Sequence, residues 1–174
     1  MGAGLGVAGP HRRAARRVPE EAEVSPSARL AELGITLPEV AAPLAAYVPA
    51  VRTGNLVYTA GQLPLTRGEL THAGKVGAEV SPEDAQVAAR TCALNALAAV
   101  NKLVGIDSVV QVVKVVGFVA SAPGFTGQPA VVNGASEFLG EVFGESGSHA
   151  RSAVGVSELP LNAPVEVELI VEVS

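Results

Sequence analysis

The ten residues before the C-terminal Ser174 constrain the fold more than any others. From Pro164 to Val173, Val165, Val167, Leu169, Val171 and Val173 fall on every second position, with Glu166, Glu168 and Glu172 between them. A period of two puts the apolar set on one side of an extended strand and the carboxylates on the other. Such a strand needs a sheet with one packed face and one face that meets solvent or another subunit. Any architecture for this chain has to supply a layer to cover those valines.

The preceding segments supply that layer. Ser81-Pro82-Glu83-Asp84 starts a helix: Ser81 can cap it, Pro82 suits the first turn, and the acids complement the helix dipole. The helix is predicted to run to about Val104 and stop at Gly105, with Val87, Leu94, Leu97, Val100 and Val104 as its apolar stripe and Cys92 as a small core residue. A second helix spans about Pro129 to Phe143, where Val131/Val132, Ala135, Phe138/Leu139 and Val142/Phe143 recur at helical spacing and Gly144 follows.

Between the helices, Val109–Ala120 is rich in β-branched residues without clean alternation, which predicts a central strand covered on both faces. Val48–Arg52 and Asn55–Thr59 read as paired strands around Thr53-Gly54, and Ser152–Ser157 as the strand before the last. A short helix is expected over Ser27–Leu33, ending at Gly34, after which Pro38, Pro43 and Pro49 keep the chain extended. The order ββ-α-β-α-ββ predicts an α/β (α+β) fold: a mixed sheet with two helices on one face.

Composition narrows the class. The chain has 174 residues, 48% hydrophobic and 17% charged, which excludes wholesale disorder. Aromatic residues are 3% and Trp is absent, so the core is built from Val, Leu and Ala. Small side chains bury little area each, which favours a subunit interface and a homo-oligomer. The formal net charge of −5 argues against nucleic acid as a partner. No run reaches the ~18 apolar residues of a membrane span.

One Cys excludes an intrachain disulfide, and His11, His72 and His149 are too scattered for metal spacing. With no apolar leader, a cytoplasmic protein is expected. Residues 1–24, rich in Gly, Ala and Arg pairs, read as a disordered extension, leaving 25–174 as a single domain.

Two phosphate-binding patterns fail on context. Gly4-Leu5-Gly6-Val7-Ala8-Gly9 matches GxGxxG, yet no strand precedes it and Pro10 follows. Gly74-Lys75 is followed by Val76 where a phosphate loop needs Ser or Thr, and Gly68 lies one residue too far back.

The side chains that remain for chemistry are few. Arg151 begins a strand after the Gly144–Gly147 turn, where a rigid fork of donors suits a carboxylate. Glu166, on the polar side of the last strand, can act as a base or place a water. Residues alone leave an ion pair for Arg151 and a solvated carboxylate for Glu166 open. His149 precedes Arg151 by two and so points to the same side, for cleft lining, packing or capping.

Two stretches carry a family resemblance. Tyr47-Val48-Pro49-Ala50-Val51-Arg52-Thr53-Gly54-Asn55-Leu56-Val57-Tyr58-Thr59-Ala60-Gly61-Gln62-Leu63-Pro64 resembles the N-terminal signature of the RidA/YjgF family. His149-Ala150-Arg151-Ser152-Ala153-Val154, with Leu159-Pro160 through Val165-Glu166-Val167-Glu168, resembles its C-terminal signature. The likeness covers about residues 27–174 and is nearest the longer branch described as YjgF/chorismate-mutase-like endoribonuclease.

The resemblance implies a chorismate-mutase-like fold in a homotrimer, with ligand clefts between subunits. It implies hydrolysis of reactive 2-imino or enamine acids to 2-oxo acids and ammonia, without cofactor or metal. It assigns Arg151 to the substrate carboxylate and Glu166 to the attacking water. Tyr47, Asn133, Gly61 and Ala153 would line the cleft. Three departures mark this chain: Ala153 stands where many deaminating members carry Cys, Glu158 replaces a common Arg, and residues 121–130 are longer than in the short members. A non-enzymatic trimer binding a small imino or oxo acid is the alternative, with endoribonuclease activity behind it.

Overall fold

The computed structural model describes residues 24–40 and 46–174. The expected extension, apart from Val24, lies outside the described residues, as do the 4–9 glycine pattern, His11 and Pro43.

A five-stranded sheet organises the chain. Its strands are β1 (Ala50–Thr53), β2 (Leu56–Thr59), β5 (Val109–Ala120), β6 (Ala150–Val156) and β7 (Val165–Val173), in the order β1-β2-β7-β5-β6. A two-residue hairpin, β3 (Leu65–Thr66) with β4 (Glu69–Leu70), stands apart. Only the β5–β6 pair is parallel, because a helix crosses over between those strands. The described residues form three α-helices: α1 (Pro26–Glu32), α2 (Pro82–Val104) and α3 (Gln128–Phe143).

The alternation of the last strand does what its pattern requires. Val165, Val167, Leu169, Val171 and Val173 are buried in one cluster with α2 and α3, while Glu166, Glu168, Ile170 and Glu172 are half-buried on the other side. Each inward side chain contributes roughly 1.5–3 kcal/mol of burial.

α2 begins and ends at the predicted residues. Ser81 accepts from the Asp84 amide at 3.0 Å, and Gly105 closes the helix with φ 83°. Its buried stripe differs from the expected one, since Val87 is 61% exposed. Leu97, Val100 and Cys92 are buried as expected and Leu94 and Val104 pack at the core edge, while Ala85, Ala88, Ala89, Ala93, Ala96 and Ala99 fill the rest of the inward face. Small side chains let the helix approach α3 closely: a Cβ on Gly134 of α3 would strike the Gln86 carbonyl.

β5 has the predicted bounds, but its broken alternation has another cause. Register shifts between Val109/Gln111 and between Val112/Lys114 each insert one residue opposite β7. The bulges leave Val110 and Val113 exposed, and from Val115 onward the alternation is regular. β5 is an interior strand, between β7 and the β6 edge, yet the helices cover one face only; Val116 and Phe118 lie half-buried on the open one. β1 starts two residues later than expected, and the hairpin turn is Gly54-Asn55, with Gly54 at φ 58°.

Candidate functional site

β6 is an edge strand, and Arg151 sits on its helix-covered side, in register with buried Val115. Its guanidinium reaches the N-terminal half of α3. Nη1 donates to Asn133 Oδ1 at 2.7 Å and to Ser136 Oγ at 3.1 Å, and Nη2 donates to the Pro129 carbonyl at 3.3 Å. Positions 129, 133 and 136 share one helix face, so α3 presents a row of neutral acceptors to the strand. Among the described residues Arg151 makes no ion pair. No described carboxylate therefore cancels its positive charge.

Ala153, two residues on, lies on the same side and packs against the core edge beside Gly117. His149 also joins this group. Its Nε2 lies 2.9 Å from Ser136 Oγ and its Nδ1 2.6 Å from the Gly147 carbonyl.

Glu166 lies elsewhere. It pairs with Phe118 of β5, three positions beyond Val115, and no bulge intervenes. An odd offset on a regular strand means the opposite face. Arg151 and Glu166 are thus on different sides of the sheet, with backbones about 14 Å apart by strand rise and spacing.

Gly61 belongs with Glu166. The Gln62 amide donates to the Val167 carbonyl at 2.9 Å, which brings Gly61 against the Glu166 side chain; a Cβ there would overlap the carboxylate. Asn95 of α2 steadies this loop through Leu63 and Leu65 carbonyls at 2.9 and 3.0 Å. Burial, and secondarily the charge of Glu168, push the Glu166 carboxyl above its ordinary range. Tyr47 is a third location, 55% exposed just before β1, at the sheet edge opposite β6.

Comparison with known proteins places this geometry. The family described as "YjgF/chorismate_mutase-like, putative endoribonuclease" matches residues 27–173. The chain is 44% identical to Protein TCP17 of Trypanosoma cruzi, over 85% of this chain and 94% of that protein. It is similar to the crystal structure of Atu1372, a protein of unknown function from Agrobacterium tumefaciens. That match has a TM-score of 0.80 and 46% identity, over 86% of this chain and 92% of the other. A structure titled "putative endoribonuclease" from Shewanella oneidensis matches with a TM-score of 0.82 at 34% identity, over 86% and 99%. The chain belongs to the RidA/YjgF family.

Of the positions that the RidA/YjgF signatures single out, the fold brings Arg151, Asn133 and Ala153 together, and separately Gly61 with Glu166. It does not join the two groups or bring Tyr47 to either within one chain. Glu158 pairs with Lys75 at 2.9 Å. Ser136 escaped the sequence reading. Its spacing of three from Asn133 was the available signal, unusable until α3 was known to face Arg151.

Cys92 is enclosed in the core, its thiol donating to the Val165 carbonyl at 3.6 Å, and burial holds it well above the usual thiol range. A nucleophilic role has no support there. Among the described residues no group of three His, Cys, Asp or Glu side chains could hold a metal, and no helix is long and apolar enough to cross a membrane.

Proposed function

We propose that this protein hydrolyses reactive 2-imino or enamine acids to 2-oxo acids and ammonia, in clefts between the subunits of a homotrimer. The observation that carries the reading is Arg151, an uncancelled guanidinium braced by neutral acceptors on α3. It suits a substrate carboxylate held by two N–H donors. Glu166 supplies the second requirement, since its raised pKa makes it a stronger base than an exposed carboxylate.

The chemistry asks little else of the protein. A protonated imine carbon is already electrophilic, so orientation and a placed water suffice. Water adds to that carbon as Glu166 takes its proton, giving a carbinolamine. Glu166 passes that proton to nitrogen and then takes the hydroxyl proton as the C–N bond breaks, so ammonia leaves as the carbonyl forms. No electrons are exchanged with an oxidant or reductant, and no cofactor is required.

The separation of Arg151 from Glu166 supports assembly. A second copy that seats the open face carrying Glu166 against the β6–α3 edge carrying Arg151 would complete the site. Tyr47, at the far edge of the sheet, fits the same reasoning. The apolar groups on the open face, among them Val51, Tyr58 and Val154, give that contact something to bury.

The test generates imines from several amino acids with an amino-acid oxidase and traps the survivors with semicarbazide. Wild type is expected to accelerate loss of trapped signal, and Arg151→Ala to lower kcat/KM at least 100-fold. Equal rates for wild type and Arg151→Ala would refute the assignment. Scattering should report three copies. Binding without turnover would favour the ligand-binding reading, which the replacement of a common Cys by Ala153 suits. The net charge of −5 opposes an RNA substrate.

A further inference from the structure

The hydrogen bonds behind Arg151 run in one forced direction. A guanidinium N–H can only donate, so Ser136 Oγ accepts from Nη1. At the other end, the Gly147 carbonyl can only accept, so His149 Nδ1 carries a hydrogen. In the neutral ring Nε2 is then an acceptor, and the Ser136 hydroxyl has its one hydrogen free to give it at 2.9 Å. The chain reads Arg151 to Ser136 to His149, closed by His149 onto the Gly147 carbonyl.

We propose that His149, acting through Ser136, is a positioning residue that fixes which edge of Arg151 meets the substrate carboxylate. Of the five guanidinium hydrogens, both on Nη1 are engaged by Asn133 and Ser136, and one on Nη2 by Pro129. Among the described residues, the Nε hydrogen and one Nη2 hydrogen remain for a ligand.

A serine hydroxyl alone can rotate and offer its hydrogen elsewhere. With His149 accepting that hydrogen, the oxygen lone pairs stay turned toward Nη1 and the plane of the guanidinium is held. The chain ends on an imidazole rather than a carboxylate, so orienting Arg151 places no negative charge beside it. This inference rests on the proposed role of Arg151 as the carboxylate receptor.

The test measures pyruvate binding by NMR titration, with neutral pyruvamide as comparator, on the assembled protein. Alongside it, the imine that wild type hydrolyses fastest gives KM and kcat. His149→Phe and Ser136→Ala are each expected to weaken pyruvate binding and raise KM about tenfold, the scale of one hydrogen bond to a charged group, with kcat within about twofold. Pyruvamide binding should not change. His149→Gln, whose carbonyl can accept from Ser136, should restore most of the affinity.

Multiple-bond 1H–15N spectra of the wild-type ring should show hydrogen on Nδ1 and none on Nε2. Hydrogen on Nε2 in the neutral ring would overturn the inference, as would Gln and Phe variants that bind pyruvate equally. If His149→Phe does not fold, Ser136→Ala against wild type decides, and unchanged affinity refutes the proposal. Wild type that binds no pyruvate and turns over no imine would refute the role of Arg151 itself, and this inference with it.

Discussion

The two faces of the sheet carry the same kinds of apolar side chain and do different work. On the helix-covered face, Val112, Val115, Val119, Val165, Val167 and Val171 are fully enclosed against alanines and valines of α2 and α3. On the open face, Val116, Phe118 and Ile170 are half-buried, and Glu166, Glu168 and Glu172 stand among them. Among the described residues, Glu172 alone of these carboxylates has a side-chain donor, accepting from Asn55 Nδ2 at 2.7 Å. A face this apolar and this acidic does little for the protomer's own core. The first face specifies the fold, and on the proposed reading the second serves assembly and chemistry. The candidate residues are divided between the two faces, Arg151 on the helix-covered side and Glu166 on the open one, which is why the site as proposed needs two copies.

One substituent placed on each face separates these roles most sharply. Val167 and Ile170 belong to the same strand on opposite sides. Val167→Asp buries a carboxylate among valines and is expected to cost about 3–5 kcal/mol in urea unfolding, enough to empty the native state of a marginal domain. Ile170→Asp should cost only about 1 kcal/mol, mostly from poor strand propensity. Its effect should appear instead as loss of the assembled mass on light scattering and loss of activity. Comparable unfolding costs for the two would mean that the open face stabilises the protomer directly, and the division of labour would fail.

That comparison also explains what could be read in advance. The alternation of β7 and the Ser81 and Gly105 ends of α2 were legible because each depends on neighbours in sequence. The bulges in β5 were not, because a bulge is a property of the pairing with β7 and leaves no local mark. Val87, at the start of the expected apolar stripe of α2, was misjudged for a related reason. Val87 is more hydrophobic than Ala88 or Ala89, but the tight crossing at Gly134 selects the small residues for the interior. The family signatures supplied Arg151 and Glu166, yet their placement on opposite faces follows from two registers on β5 that no single segment contains.

A smaller effect tests the loop that carries Gly61. A methyl there meets the end of the Glu166 side chain rather than backbone. Flexible atoms can move aside, so Gly61→Ala should leave stability within about 1 kcal/mol of wild type. The displaced carboxylate would no longer sit where it can place a water, and kcat is expected to fall about tenfold or more with KM little changed. An unaltered kcat would detach Glu166 from the reaction.

The smallest expected effect concerns the charge on Glu166 itself. Burial and the neighbouring Glu168 raise its folded pKa above that of the unfolded chain, so the folded protein binds the proton more tightly. The contribution to stability is complete below the unfolded value of about 4.3 and is lost as the pH rises through the raised folded value. Above that window the ionised carboxylate is held at a cost. Glu166→Gln carries no charge at any pH and escapes it. The variant should therefore melt slightly higher than wild type near pH 7, by about 1–2 °C given partial exposure and screening, while the difference shrinks or reverses near pH 4. Imine hydrolysis should be lost across the whole range. A melting difference independent of pH would mean that Glu166 is not strained by its surroundings, and its basicity would then be no greater than that of a carboxylate in open solvent.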